Sequence, residues 1–191
     1  MKSIIIYLLS ALTLSLKSNA QSIIKCDNNT SYWLITDNSI NYTVKLYGDI
    51  AKSKMPDIIN IEDKALQYIV LDKIHFIEKN GDSNDTSILS NYIAGETKYL
   101  LNKFPKPFDV EMQISTLPSG RHFLLWWYKL PEGSSKEVIA QIFVNVIIGD
   151  ILFGLGSPQF IDDDIKLIKD FLIDTIDSLS IVKNKNSICD K

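Results

Sequence analysis

Apolar positions along this chain follow two different periods. The first 20 residues show neither. Lys2 is followed by an apolar run, Ile4-Ile5-Ile6-Tyr7-Leu8-Leu9-Ser10-Ala11-Leu12-Thr13-Leu14, and then by Ser18-Asn19-Ala20 ahead of Gln21. A short basic start, an apolar stretch below the ~20 residues that span a bilayer, and a small-x-small ending read as a cleavable export signal over residues 1–20. Beyond it, residues 31–36 and 39–47 read as two strands joined at Asp37-Asn38. In the second, Ile40, Tyr42, Val44 and Leu46 alternate with Asn41, Thr43 and Lys45, the pattern of a strand with one buried face. Residues 48–63 read as a loop with a short strand at 58–61. Residues 65–78 lean towards β structure, as one bent strand or two, with a helix over 63–71 as the competing reading.

The turn cluster Asn80-Gly81-Asp82-Ser83-Asn84-Asp85 predicts a helix over residues 86–104, with Asp85 as N-cap. Leu89, Tyr92, Ile93, Glu96, Leu100 and Lys103 recur at helical spacing, and Pro105 and Pro107 stop the helix. Four strands follow. Residues 109–116 alternate, and Leu117-Pro118-Ser119-Gly120 is a turn. Residues 122–130 are apolar on both faces, so that strand is central and covered on both sides. Residues 138–147 and 151–157 form a hairpin around Gly149-Asp150. A last helix spans 163–179, with Ile165, Ile168, Leu172, Thr175, Ile176 and Leu179 facing inwards and Asp162, Asp163 and Asp164 at its start. Alternating strands without strict βαβ units predict an α+β fold, a mainly antiparallel sheet with helices packed on its faces. Residues 21–182 form one domain and 183–191 a C-terminal tail.

Composition narrows the setting. The full chain has a formal charge of −3; without residues 1–20 it loses Lys2 and Lys17, leaving 18 basic against 23 acidic residues and a charge of −5. A mildly acidic domain with no basic cluster is a poor nucleic-acid partner and has no electrostatic attraction to an anionic membrane. No second long apolar segment predicts membrane insertion after signal cleavage. The two cysteines, Cys26 and Cys189, sit near the ends of the exported part, and in an oxidising compartment one disulfide between them is the natural reading. The expected location is periplasmic or secreted.

The second half resembles the PsbP/Mog1/DcrB-type α/β/α sandwich. The likeness rests on Arg121-His122-Phe123-Leu124-Leu125-Trp126-Trp127 and on the hairpin from Gln141-Ile142-Phe143-Val144-Asn145 through Gly149-Asp150 to Phe153-Gly154-Leu155. It runs on into the closing helix phrase Phe171-Leu172-Ile173-Asp174-Thr175-Ile176-Asp177-Ser178-Leu179. It is a pattern of elements over residues 30–180. It implies a small, non-enzymatic binding or assembly factor of the cell envelope, and no functional residue carries over, because no diagnostic motif is present.

Candidate chemistry is sparse. His75 and His122 are the two histidines, and no Gly-x-Ser-x-Gly elbow accompanies them; Gly154-Leu155-Gly156-Ser157-Pro158 is a strand end. Asp82-Ser83-Asn84-Asp85 lacks the central Gly and closing Glu of a calcium loop, and Asp162-Asp163-Asp164 reads as a helix start. Glu62, Asp63, Glu111 and Glu132 single out no acid pair. No catalytic residue, metal site or cofactor is therefore expected. The positions that suggest binding are Trp126, Trp127, Tyr128, Gln141, Asn145, Gly154 and Gly156. The plain reading packs the C-terminal helix over the glycines and both tryptophans into the core. The sharper one opens a groove lined by one tryptophan with Tyr128 or Gln141. The expected function is an exported binding or accessory protein with a protein or small-ligand partner. Its rivals are a secreted hydrolase and an immunity-type protein that neutralises an exported toxin.

Overall fold

The computed structural model describes residues 20–53, 55, 57–79, 81–104 and 109–189. The expected export signal over 1–20 and the expected helix stop at Pro105 and Pro107 lie outside these residues, apart from Ala20. The strands are β1 (Ala20–Lys25), β2 (Thr30–Asp37), β3 (Ile40–Tyr47), β4 (Ile50–Lys52), β5 (Ile58–Ile61), β6 (Lys64–Asp72), β7 (Val110–Thr116), β8 (His122–Lys129), β9 (Val138–Ile148), β10 (Ile151–Phe160) and β11 (Ser180–Val182). The helices are α1 (Asp85–Lys103) and α2 (Ile165–Asp177).

The four-strand meander of the second half forms one end of a seven-stranded antiparallel sheet in the order β4-β5-β6-β10-β9-β8-β7, so that β8, expected at the centre, lies next to the edge strand β7. Residues 65–78 resolve into one strand, β6, followed by a 3-10 turn at Lys73–Phe76. His75 therefore lies exposed on that turn rather than within a strand. The amino-terminal hairpin does not join this sheet. With β1 and β11 it builds a second sheet, β1-β2-β3-β11. Its turn is Asn38-Ser39, both with positive φ (46° and 69°), the backbone of the tight turns whose twist matches a β-hairpin.

Strand alternation divides the core. Phe123, Leu125, Val144, Val146, Phe153 and Leu155 face one way and meet Ile168, Leu172 and Ile176 of α2 together with Trp33, Ile35, Tyr42 and Val44 of the second sheet. Leu124, Trp126, Tyr128, Ile147 and Leu152 face the other way and meet Ile88, Leu89, Tyr92, Ile93 and Leu100 of α1. The helices thus cover opposite faces, as the doubly apolar β8 requires. Trp33 packs edge-on against Tyr68 at 5.0 Å, joining the two sheets.

Helix ends follow side-chain chemistry. Asn84, one residue before the expected cap, accepts from Ser87 N at 2.8 Å and starts α1. At α2, Asp164 takes the capping role, accepting from Lys166 N, while Asp163 accepts from Phe160 N and closes the preceding turn. The residues after 182, expected as a tail, contain a second 3-10 turn at Lys185–Ser187. Ile188 is buried with Tyr32, Leu34 and Val182, and Cys189 is bonded to Cys26.

Candidate functional site

The binding residues singled out by sequence divide between two faces because consecutive strand residues point oppositely. Trp126 and Tyr128 of β8 face α1. Register then fixes the rest: Trp126 lies opposite Phe143 and Tyr128 opposite Gln141 on β9, while Asn145 and Phe143 lie opposite Gly154 and Gly156 on β10. Six of the seven residues, Trp126, Tyr128, Gln141, Asn145, Gly154 and Gly156, therefore share the α1 side.

The glycines make room for their neighbours. A Cβ on Gly154 would strike the Asn145 amide and come within 2.7 Å of Ile69 Cγ1, and one on Gly156 would lie 2.8 Å from Phe143 Cδ1. Side chains of β9 and β6 fill the space that the glycines leave. The C-terminal helix lies on the other face, so its expected packing over the glycines is not what the chain does. Phe143 in turn stacks on Trp126 at 4.3 Å, and Trp126 Nε1 donates to Asn145 Oδ1 at 2.8 Å. Tyr128 completes the stack at 6.2 Å from Trp126.

Trp127 stands apart. It packs on the α2 side, half-buried, with Lys169 Nζ 3.0 Å from its ring centroid, a cation–π contact. Burial lowers the pKa of Lys169, and the negative charge of Glu111 opposes that shift.

The acidic residue of this seam is Glu96. It is 5 % exposed on α1, and burial pushes its carboxyl up to about 7. Tyr92 and Tyr128 lie within its field. Both phenols are held above their ordinary range, by burial first and by the Glu96 charge second. Asn145 opposes the shift of the Tyr92 phenol, and its buried Nδ2 has no hydrogen-bond partner among the described residues. Gln141, opposite Tyr128 in register, is 2 % exposed, and its Oε1 likewise has no hydrogen-bond partner among the described residues. The sequence reading placed Glu96 on the inner stripe of the helix without giving it a role. A carboxylate among Tyr92, Ile93 and Leu100 was the available signal.

The remaining candidates lie elsewhere. His122 is exposed, 3.3 Å from Thr116 Oγ1 through Nδ1. Among the described residues no three His, Cys, Asp or Glu side chains gather as a metal site. Arg121 is tied into the fold, donating to the carbonyls of Asp177 at 2.7 Å and Leu179 at 2.8 Å. Cys26 and Cys189 form the disulfide expected from their placement. Among the described residues no helix is long and apolar enough to cross a membrane.

No family model matches the chain, and no curated protein matches it. Among solved structures it is similar to the solution structure of cyanobacterial PsbP (CyanoP) from Synechocystis sp. PCC 6803. The identity is 12%, with 92% of this chain and 99% of that chain covered, and the TM-score is 0.46.

Proposed function

We propose that this chain is exported and works outside the cytoplasm as a non-enzymatic binding or accessory protein of the cell envelope. The observation that carries the reading is the Cys26–Cys189 disulfide. Such a bond persists where thiols are not kept reduced, and here it clasps the two ends of the part that follows the export signal. The partner is a protein or a small ligand.

The seat we assign to it is the seam between α1 and strands β8 to β10. There Gln141 Oε1, without a hydrogen-bond partner among the described residues, offers an acceptor on the strand residue opposite Tyr128. A buried acceptor left unpaired costs about 1–3 kcal/mol, so a ligand that donates a hydroxyl or amide hydrogen to it is favoured. Trp126, Asn145, Gly154 and Gly156 set the shape of that seam, while Trp127 belongs to the opposite face.

The test is native mass spectrometry of the protein purified from the envelope fraction without reductant. We expect a chain starting at Gln21, two hydrogens lighter than its dithiol form, with a retained ligand or partner whose occupancy falls in Gln141→Leu. A full-length chain with two alkylatable thiols would overturn the export reading, and a bare mature chain would overturn the binding reading. An exported toxin as the retained partner would assign the immunity role.

A further inference from the structure

The seven-stranded sheet ends in β7, and among the described residues nothing pairs with the outer side of that strand. Natural sheets blunt such edges with lysines, prolines, bulges or very short strands. Of the other edge strands, β4 and β11 are three residues each, and β1, of six, ends in Lys25. β7 has seven residues, Val-Glu-Met-Gln-Ile-Ser-Thr, runs in unbroken register with β8, and contains no lysine and no proline. Its one charge is Glu111.

Hydrogen-bond phase fixes which groups are free. Leu117 N donates to Arg121 O, and the register continues through Thr116 opposite His122. In an antiparallel ladder bonded pairs alternate with non-bonded ones, so Glu111, Gln113 and Ser115 bond inwards to β8. Val110, Met112, Ile114 and Thr116 then point their N–H and C=O groups away from the sheet.

We propose that β7 is the seam of a two-fold dimer, in which a second copy of this chain adds its own β7 antiparallel with Gln113 on the axis. That register sets Met112 opposite Ile114 of the second copy, Val110 opposite Thr116, and Glu111 opposite Ser115. It is the register that pairs all seven residues, and each outward-pointing residue then meets an outward-pointing residue, giving about eight new backbone hydrogen bonds. Moving the axis to Met112 or Ile114 leaves residues unpaired at one end. Moving it to Glu111 brings two carboxylates face to face, which cross-strand packing disfavours.

The side chains fit the same arrangement. Met112 is 54 % exposed on the α1 side, between the part-buried Val110 and Ile114. Pairing with Ile114 of the second copy covers it and extends the apolar layer beneath α1 across the axis. On the α2 side Glu111, which lies within the field of Lys169, meets a serine and no charge. The contact is isologous and closes at two copies, so it terminates the edge without starting a fibre.

Sedimentation of the purified chain over 1–100 µM reads the association directly, on the order of the concentrations at which weak strand-pairing dimers form. We expect a monomer–dimer equilibrium. Gln113→Lys should weaken it at least tenfold by placing like charges on the axis. An equimolar mixture of Gln113→Lys and Gln113→Glu should restore it as a heterodimer. Gln113 is exposed and does not contribute to the core, so circular dichroism should be unchanged in both variants. Under mild oxidation Gln113→Cys should cross-link to itself, and Ser115→Cys, which faces Glu111, should not. A monomer across the range, a dimer indifferent to Gln113→Lys, or a failed charge-pair rescue would each overturn the proposal.

Discussion

Glu96 is buried on the sheet-facing side of α1, next to two phenols and a tryptophan stack. Its carboxyl ordinarily titrates at 4.5 and here at about 7 because burial disfavours the charge. Between those values the folded protein keeps a proton that the unfolded chain has released. Stability from this group is therefore fully present below about pH 4.5 and is lost as pH rises to about 7, a change of roughly 3 kcal/mol at most. Glu96→Gln keeps the shape and removes the titration. Urea denaturation at pH 5 and pH 8 should show a smaller loss in the variant than in the parent; equal losses would mean that Glu96 is solvated. Gly154 makes a second test at the same scale. Its β-carbon position is already taken by the Asn145 amide and Ile69, so Gly154→Ala must displace the amide from Trp126 Nε1. The expected cost is ~1–3 kcal/mol in thermal denaturation. Gly120 has open space at the same position, but its φ of +86° makes it a poor control. Gly95, with neither obstacle, is the better one, and Gly95→Ala should be neutral or stabilising.

At the level of elements, the strands and helices with one clear period were legible before the structure. β7 to β10, α1 and α2 fall where their alternation or stripe placed them, within a few residues. The two faces of β8 were legible too, because alternation is a local property. Partner choice was not. Nothing local in residues 31–47 says that the hairpin forms a separate sheet, or that Ser180–Val182 complete it. Glu96 was visible only as an oddity in a stripe, and the seam acquires its polar groups from residues of β8, β9 and α1 that are far apart in sequence. Arg121 shows the same limit. In sequence it is a charged residue after a turn. In the fold the β7–β8 turn lies against the end of α2, where Arg121 donates to the carbonyls of Asp177 and Leu179 and to Ser119 Oγ. The Asp177 carbonyl is among the ones a helix end leaves without intrahelical partners, and the Leu179 carbonyl lies just past the C-cap Ser178. Arg121→Ala should therefore destabilise the protein by about 1–2 kcal/mol. Hydrogen exchange should show faster opening confined to the last turn of α2 and β11; a loss spread evenly over both helices would argue against a capping role.

The whole molecule is closed by one covalent bond. Cys26 and Cys189 are 163 residues apart, and chain-entropy reasoning assigns about 5 kcal/mol to a loop of that length. The realised value should be smaller, because the ends are also held by other means. β1 pairs with β2, β11 pairs with β3, and Ile188 is buried against Tyr32, Leu34 and Val182 with Ile24 and Cys26 packed beside them. This small cluster lies on the outer face of the second sheet, away from the main core, so it has few apolar contacts of its own to hold it. The bond and the cluster hold the same segment, so each makes part of the other's contribution redundant. Replacing both cysteines by serine should lower stability by ~2–4 kcal/mol, a fall of roughly 5–15 °C in melting temperature for a chain of this size. Adding reductant should bring the parent to the same melting temperature and leave the double variant unmoved. Ile188→Ala in the oxidised parent separates the two contributions. With the bond intact it should cost less than in the double variant, because the bond already holds the segment; an equal cost in both backgrounds would show that clasp and cluster act independently.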